Sequence, residues 1–342
     1  MKRFQFAGNR VIKTGVAILI TAWICQILGW PPVFAVITAI VTLEPTVSDS
    51  IKKGIIRLPA SVFGSFYAVL FIYFFDHSPI TYALAAVFTI ATCVKLKLHA
   101  GLLVATLTSV AMVEVLHDNY FISFFIRLGT TTIGLLVSTA VNMFVFPPDY
   151  TQDIIRNINK MAQNTGTAVE KLFRKVLENN QEESSQKEII EQLDKKLHKT
   201  ETLIRFQKDE SKFHPLAGSE KDLFYLAQHQ LVRLRLIRYH IANVLNTPLD
   251  TISWTAEEKS IIMEAVRYLA KSMKSDSHYN PLIHQKRVRQ LMELFWEGNE
   301  EITQNNDQHP THFPPELILL YELLSIYTQV EEFYENPRHT QN

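Results

Sequence analysis

Residues 127–148 read RLGTTTIGLLVSTAVNMFVFPP, one arginine followed by a stretch with no Asp, Glu, Lys or Arg. Such a stretch matches the roughly 20 apolar residues that an α-helix needs to cross a bilayer. The same figure appears earlier in the chain, where residues 57–64 read RLPASVFG and no charge follows Arg57 until Asp76. Further uncharged runs cover residues 14–43, 77–94 and 98–113. A soluble core has no need of so many long runs in close succession, so they predict an all-α polytopic membrane protein.

Whole-chain averages hide this division. The 342 residues hold 34 Lys and Arg against 34 Asp and Glu. Residues 1–150, however, hold only 10 of the former and 6 of the latter, and they hold 8 of the 11 glycines. Two physical regimes are joined near FPPDY. Six spans are expected, at 12–29, 31–45, 55–75, 79–95, 99–117 and 120–146, separated by GWPP, TVSDSIKK, DHSP, KLK and HDNY. Lys2, Arg3, Arg10 and Lys13 precede the first run as in a signal peptide, but no small-residue cleavage site follows ITAWICQILGW, so an uncleaved span is expected. Lys52, Lys53, Lys95 and Lys97 join that N-terminal cluster on one side of the bilayer, whereas Asp76 and Asp118 fall on the other. The positive-inside rule then puts both termini in the cytoplasm of a bacterial cell, with the spans in its inner membrane. Cys25 and Cys93 lie inside apolar runs and imply neither a disulfide nor a metal site.

These features divide the chain into a transmembrane domain, 1–148, and a cytoplasmic helical bundle, 149–342. In the second part LVRLRLIRYHIANVL (231–245) sets Leu234, Ile237, Ile241 and Val244 on one helical face, and comparable patterns recur near 152–178, 187–208, 256–274, 283–305 and 314–334.

A shift of seventy residues superposes VITAIVTLE (36–44) on TLTSVAMVE (106–114), matching Thr38 with Thr108 and Glu44 with Glu114. It also matches Arg57, Leu58 and Gly64 with Arg127, Leu128 and Gly134. A repeat of three spans enters the membrane the second time with opposite orientation, which is the 3+3 inverted plan of many secondary transporters. Arg57, Ala60, Ser61 and Gly64 share one helical face, and so do Arg127, Thr130, Thr131 and Gly134, a face that Ser138 and Asn142 extend. Two readings of these stripes stay open. Small residues let helices approach closely in lipid, each stripe then carrying an interfacial arginine. Alternatively, a guanidinium beside hydroxyls binds a carboxylate. Arg57, Ser61, Arg127, Thr130 and Thr131 are thus the candidate substrate-binding residues. Glu44 and Glu114 also have two readings: each pairs with the arginine thirteen residues on, or each exchanges a proton, coupling transport to the proton gradient or working a gate. The second spans are short or interrupted, since residues 31–43 would rise only about 20 Å as a helix, and that points to a central binding site.

The run WPPVFAVITAIVTLEPTVSDSIKKGIIRLPASVFG (30–64) resembles the pattern of bacterial aromatic acid exporters and fusaric-acid-resistance-like membrane proteins. Trp30, Thr38, Pro45, Ser50, Lys53, Arg57, Ser61 and Gly64 carry the resemblance, which extends over about residues 8–148. Ala60 stands where that family usually has glycine, beside an atypical Pro59. The resemblance implies an efflux permease for aromatic carboxylic acids or related organic anions, driven by the proton gradient. Larger relatives contain both units twice, which implies that this half-length chain works as a homo-oligomer.

Other signals are weak. His309 and His312 in HPTH lack further metal ligands, and Arg233, Arg235 and Arg238 form a basic patch that reads as a solvated face. No phosphate loop, nucleophile elbow or HExxH occurs, so no enzyme, cofactor or metal is expected. Basic residues neither dominate nor interleave with aromatics, which argues against nucleic acid. The expected partners are the lipid bilayer, a small organic anion and a second copy of the chain. The rival expectation is a membrane-anchored regulatory or scaffold protein whose helical bundle is the working part.

Overall fold

The computed structural model describes residues 8–115, 120–145, 147–178, 184–247, 252–305 and 314–335. Among them all regular structure is helical, twelve α-helices and two short 3-10 turns. They form two compact units, residues 1–149 with 206–215, and residues 150–205 with 216–342.

The first unit contains α1 (Asn9–Ile27), α2 (Val33–Thr42), α3 (Val47–Phe75), α4 (Pro79–Lys95), α5 (Leu102–Val115) and α6 (Tyr120–Phe144). Local chemistry sets the breaks. Gly29 closes α1 at φ 70°, in the left-handed region that glycine enters without strain, and Pro31 and Pro32 delay the next helix. Thr46 and Ser78 cap α3 and α4 by accepting from the backbone N–H groups of Asp49 and Thr81. α3 begins eight residues before the expected span, because VSDSIKKG continues the helix instead of forming a loop. α1, α3 and α6 contain stretches long and apolar enough to cross a membrane. α2, α4 and the segment His99–Glu114 are apolar but shorter.

Burial in this unit is inside-out relative to a soluble protein. Ala17, Ala35, Ala39, Ala60, Ala68, Ala85 and Ala105 are fully buried, while Trp23, Phe74, Phe121, Leu136 and Phe144 are exposed. Small residues between helices and large apolar ones outside are what helices packed in lipid require. Two contacts decide how close the helices come. A Cβ on Gly64 would stand 2.4 Å from the Ala105 carbonyl oxygen, and one on Gly134 would stand 2.4 Å from that of Ala35. The two seams, α3 on α5 and α6 on α2, are related by the seventy-residue shift seen in the sequence.

The second unit is built from α7 (Thr151–Glu178), the first part of α8 (Ser184–Glu210), α9 (Gly218–Asn246), α10 (Ala256–Lys274), α11 (Pro281–Asn305) and α12 (Pro315–Tyr334). Its core has the ordinary polarity: Ile158, Phe173, Ile262, Leu269 and Tyr327 are buried, as are Leu234, Ile237, Ile241 and Val244 of the face read from the sequence. A reciprocal capping box between Thr255 and Glu258 fixes the start of α10. The end of α8, from Phe206, and the turn after it belong to the first unit.

Candidate anion site in the first unit

The two marked arginines are both buried, Arg57 at 6% exposure and Arg127 at 4%, yet their surroundings differ. Arg57 Nη2 donates to Glu44 Oε1 at 2.6 Å, Lys53 Nζ reaches the other carboxylate oxygen at 2.7 Å, and Arg57 Nε donates to the Ala100 carbonyl at 3.1 Å. A single half-buried carboxylate thus answers two cations, and the expected pairing across thirteen residues is present in the first repeat.

It is absent in the second. Arg127 Nη2 donates to Thr108 Oγ1 at 2.5 Å, and the guanidinium carbon lies 3.8 Å from the centre of the Phe34 ring. Glu114 instead is exposed and accepts from the Tyr82 hydroxyl at 2.6 Å. The geometry explains the difference: α5 turns Glu114 outward, while Thr108, six residues earlier and about 120° away around the helix, faces α6. Among the described residues Arg127 has no carboxylate partner, and its Nε and Nη1 are buried without a hydrogen-bond acceptor. Burying an unpaired charge costs several kcal/mol. Beside it lies a cavity of about 80 Å³ lined by Pro31, Phe34, Met112, Ser123, Ile126 and Thr130 along with Arg127 itself.

The hydroxyls named from the sequence are buried, but they are largely engaged. Thr130 and Thr131 both donate to the Arg127 carbonyl, at 2.9 and 3.0 Å, and Ser61 lies 3.3 Å from Thr131 Oγ1. The last contact joins α3 to α6 through residues that the repeat places in equivalent positions. Trp30, between α1 and α2, packs on Gly129, where any side chain would collide with its ring.

Sequence reading missed a polar hub. Lys13 Nζ donates to Asn142 Oδ1 at 2.8 Å, and Asn142 Nδ2 lies 3.1 Å from the Glu44 carbonyl and 3.0 Å from Ser50 Oγ. It ties α1 and α6 to the α2–α3 corner, and Lys13, a buried cation opening an apolar run, was its available signal. Glu210 had none: it is fully buried, its Oε2 accepts from the Val47 N–H at 3.0 Å, and Oε1 meets His214 Nδ1 at 2.7 Å. A carboxylate at the first turn of α3 satisfies a donor the helix cannot and opposes the positive end of its dipole.

The basic patch on α9 is not a solvated face. Arg233 pairs with Glu332, Arg235 with Glu201 and Arg238 with Asp194, so the patch joins helices. Among the described residues no group of three His, Cys, Asp or Glu side chains is arranged to hold a metal. His309, His312 and Asp118 lie outside the described residues.

The profile of the family described as "Aromatic acid exporter family member 1" matches residues 5–145. A UPF0421 protein of Oceanobacillus iheyensis is 47% identical over 100% of this chain and 99% of its own length. The chain belongs to the aromatic acid exporter family. UPF0421 proteins of Bacillus cereus (39% identical, covering 97% of this chain and 94% of the relative) and Staphylococcus saprophyticus (37%, covering 94% and 96%) are likewise similar along nearly the whole chain. Family membership and the apolar helices together point to a membrane location and to transport.

Proposed function

We propose that this member of the aromatic acid exporter family exports organic anions, aromatic carboxylates foremost, from the bacterial cytoplasm across the inner membrane. One observation carries the reading: Arg127 is buried with two unmet donors and a ring stacked on its face, next to an apolar cavity. A carboxylate answers the donors, and an aromatic body suits Phe34, Met112 and Ile126. Thr130 borders the same cavity, whereas Arg57 and Ser61 act on the other side of the repeat.

In this reading six spans form a 3+3 inverted repeat, supported by the equivalent Gly64–Ala105 and Gly134–Ala35 seams and by the Ser61–Thr131 contact. Residues 1–148 are the transmembrane domain and residues 149–342 a cytoplasmic bundle, and a second copy completes the transporter. The Glu44–Arg57–Lys53 cluster is a closed gate, held by ion pairs that must break for passage. Glu114, without a cation among the described residues, is the carboxylate free to exchange a proton.

The test is export of radiolabelled hydroxybenzoates and other organic acids from cells producing the protein. Arg127→Ala should lower export about 10- to 100-fold, the worth of a charge-assisted bond, with the protein still in the membrane. Glu114→Gln should remove dependence on the proton gradient. If the wild-type protein is folded in the membrane and exports nothing from a broad panel, the proposal fails.

A further inference from the structure

In the second unit, α8 is tied to α9 by the Arg235–Glu201 and Arg238–Asp194 pairs, while its backbone stays off both α7 and α9. Between α7 and α8 lies a groove of about 360 Å³. Lys160, Asn164, Thr167 and Lys171 line it from one face of α7, and Gln192 and Lys196 line it from α8. No Asp or Glu is among its lining residues.

This departs from how the unit treats its other cations at helix seams. Lys274 and Arg174 share Glu170, Arg287 meets Glu264, and the three arginines of α9 each have an acidic partner. Lys160, Lys171 and Lys196 make no ion pair among the described residues, although residues 151–342 hold 28 acidic side chains against 24 basic ones. Three ammonium groups around one space repel each other until an anion enters it. Lysine binds phosphate as a movable point charge, and three lysines around one space match an anion that carries several charges close together. The Asn164 amide adds a donor, whereas the Thr167 hydroxyl already donates to the Gln163 carbonyl and the Gln192 amide to Glu188, and the volume falls within the range of small-molecule sites, about 300–1,000 Å³.

We propose that the α7–α8 groove is a binding site for an anion bearing clustered phosphates. The site is separate from the arginine site of the first unit, and it stands whether or not that site exports carboxylates. A soluble phosphorylated metabolite and a phospholipid headgroup offer the same chemistry, and the experiment separates them.

Full-length protein in neutral detergent is titrated with inorganic triphosphate by calorimetry. The expected result is saturable, salt-sensitive binding, one per chain, weakened at least tenfold in the Lys171→Gln/Lys196→Gln double variant. Lys195→Gln, which removes a neighbouring cation already paired with Glu191, should leave it unchanged. All three are exposed or half-buried side chains, so unfolding is not expected, and unchanged melting curves verify it. The titration is repeated in phosphatidylcholine nanodiscs with and without phosphatidylglycerol. Undiminished affinity with the anionic lipid assigns the groove to a soluble ligand, and lysine-dependent competition by the lipid assigns it to a headgroup. No saturable binding in either medium, or an equal loss in Lys195→Gln, overturns the proposal.

Discussion

Arg57 and Arg127 occupy equivalent positions in two halves of one sequence, and only one of them has an acid to answer it. The unanswered one is where a substrate anion has most to gain, because neutralising a buried charge is worth more than adding a bond at the surface. Arg127→Lys should therefore not restore export to Arg127→Ala: it keeps the charge but loses the flat face on Phe34 and the second donor. The same export assay reads this, and full activity in Arg127→Lys would reduce the site to a simple positive charge. A second buried base, in the other unit, makes a prediction about pH. His284 is fully buried, Nε2–H donates to the Tyr327 carbonyl at 3.1 Å, and burial pushes its pKa down to about 4. Below its ordinary value near 6.5 the unfolded chain accepts a proton here that the folded chain refuses. Stability from this group is therefore complete above about pH 6.5, falls as the pH drops towards 4, and loses about 3 kcal/mol over that window. Thermal unfolding across the window should show the decline in the wild type and a flatter profile in His284→Gln, which keeps the donor but does not titrate.

Helix seams in the first unit stand on glycine at two equivalent positions. Gly134→Ala should destabilise the protein by about 1–3 kcal/mol, since a Cβ there meets a backbone oxygen that cannot swing aside. Gly54→Ala is the control, because its Cβ would sit in ordinary contact 3.8 Å from Leu135 Cδ2. Equal melting temperatures for the two variants would remove the close-packed seam. Much at this scale was legible in the sequence: uncharged runs marked the apolar helices, Pro31 and Pro32 announced a short α2, and the arginine and glycine stripes were on buried faces. Other features were not. Hydropathy reads VSDSIKKG as a loop, but the start of α3 is decided by the Thr46 cap and by a carboxylate 163 residues away. Spacing alone also could not tell that Arg57 would reach Glu44 while Arg127 would turn to Thr108 and Phe34, since that depends on which side chains neighbouring helices present.

Across the whole molecule, the positive-inside reading makes a topological prediction: a reporter fused after Tyr150 should be active only in the cytoplasm. Periplasmic or extracellular activity would remove the six-span arrangement and with it the inverted repeat. The boundary near Asp149 is nevertheless no seam at which the chain can be divided. The chain leaves the first unit there, returns to it for residues 206–215, and leaves again. Ending the gene after Asp149 would strip α3 of the carboxylate that holds its first turn, and starting it there would yield a helix end with no partner for Glu210. Fragment 1–149 should accumulate poorly beside the full chain, and Glu210→Ala in the full chain should reproduce part of that loss, about 0.5–2 kcal/mol for a missing cap. Inheritance follows the same line. The relatives match over nearly the full length, through both units. A borrowed helix end makes the whole chain, not either half of it, the smallest piece that recombination can exchange without breaking something buried.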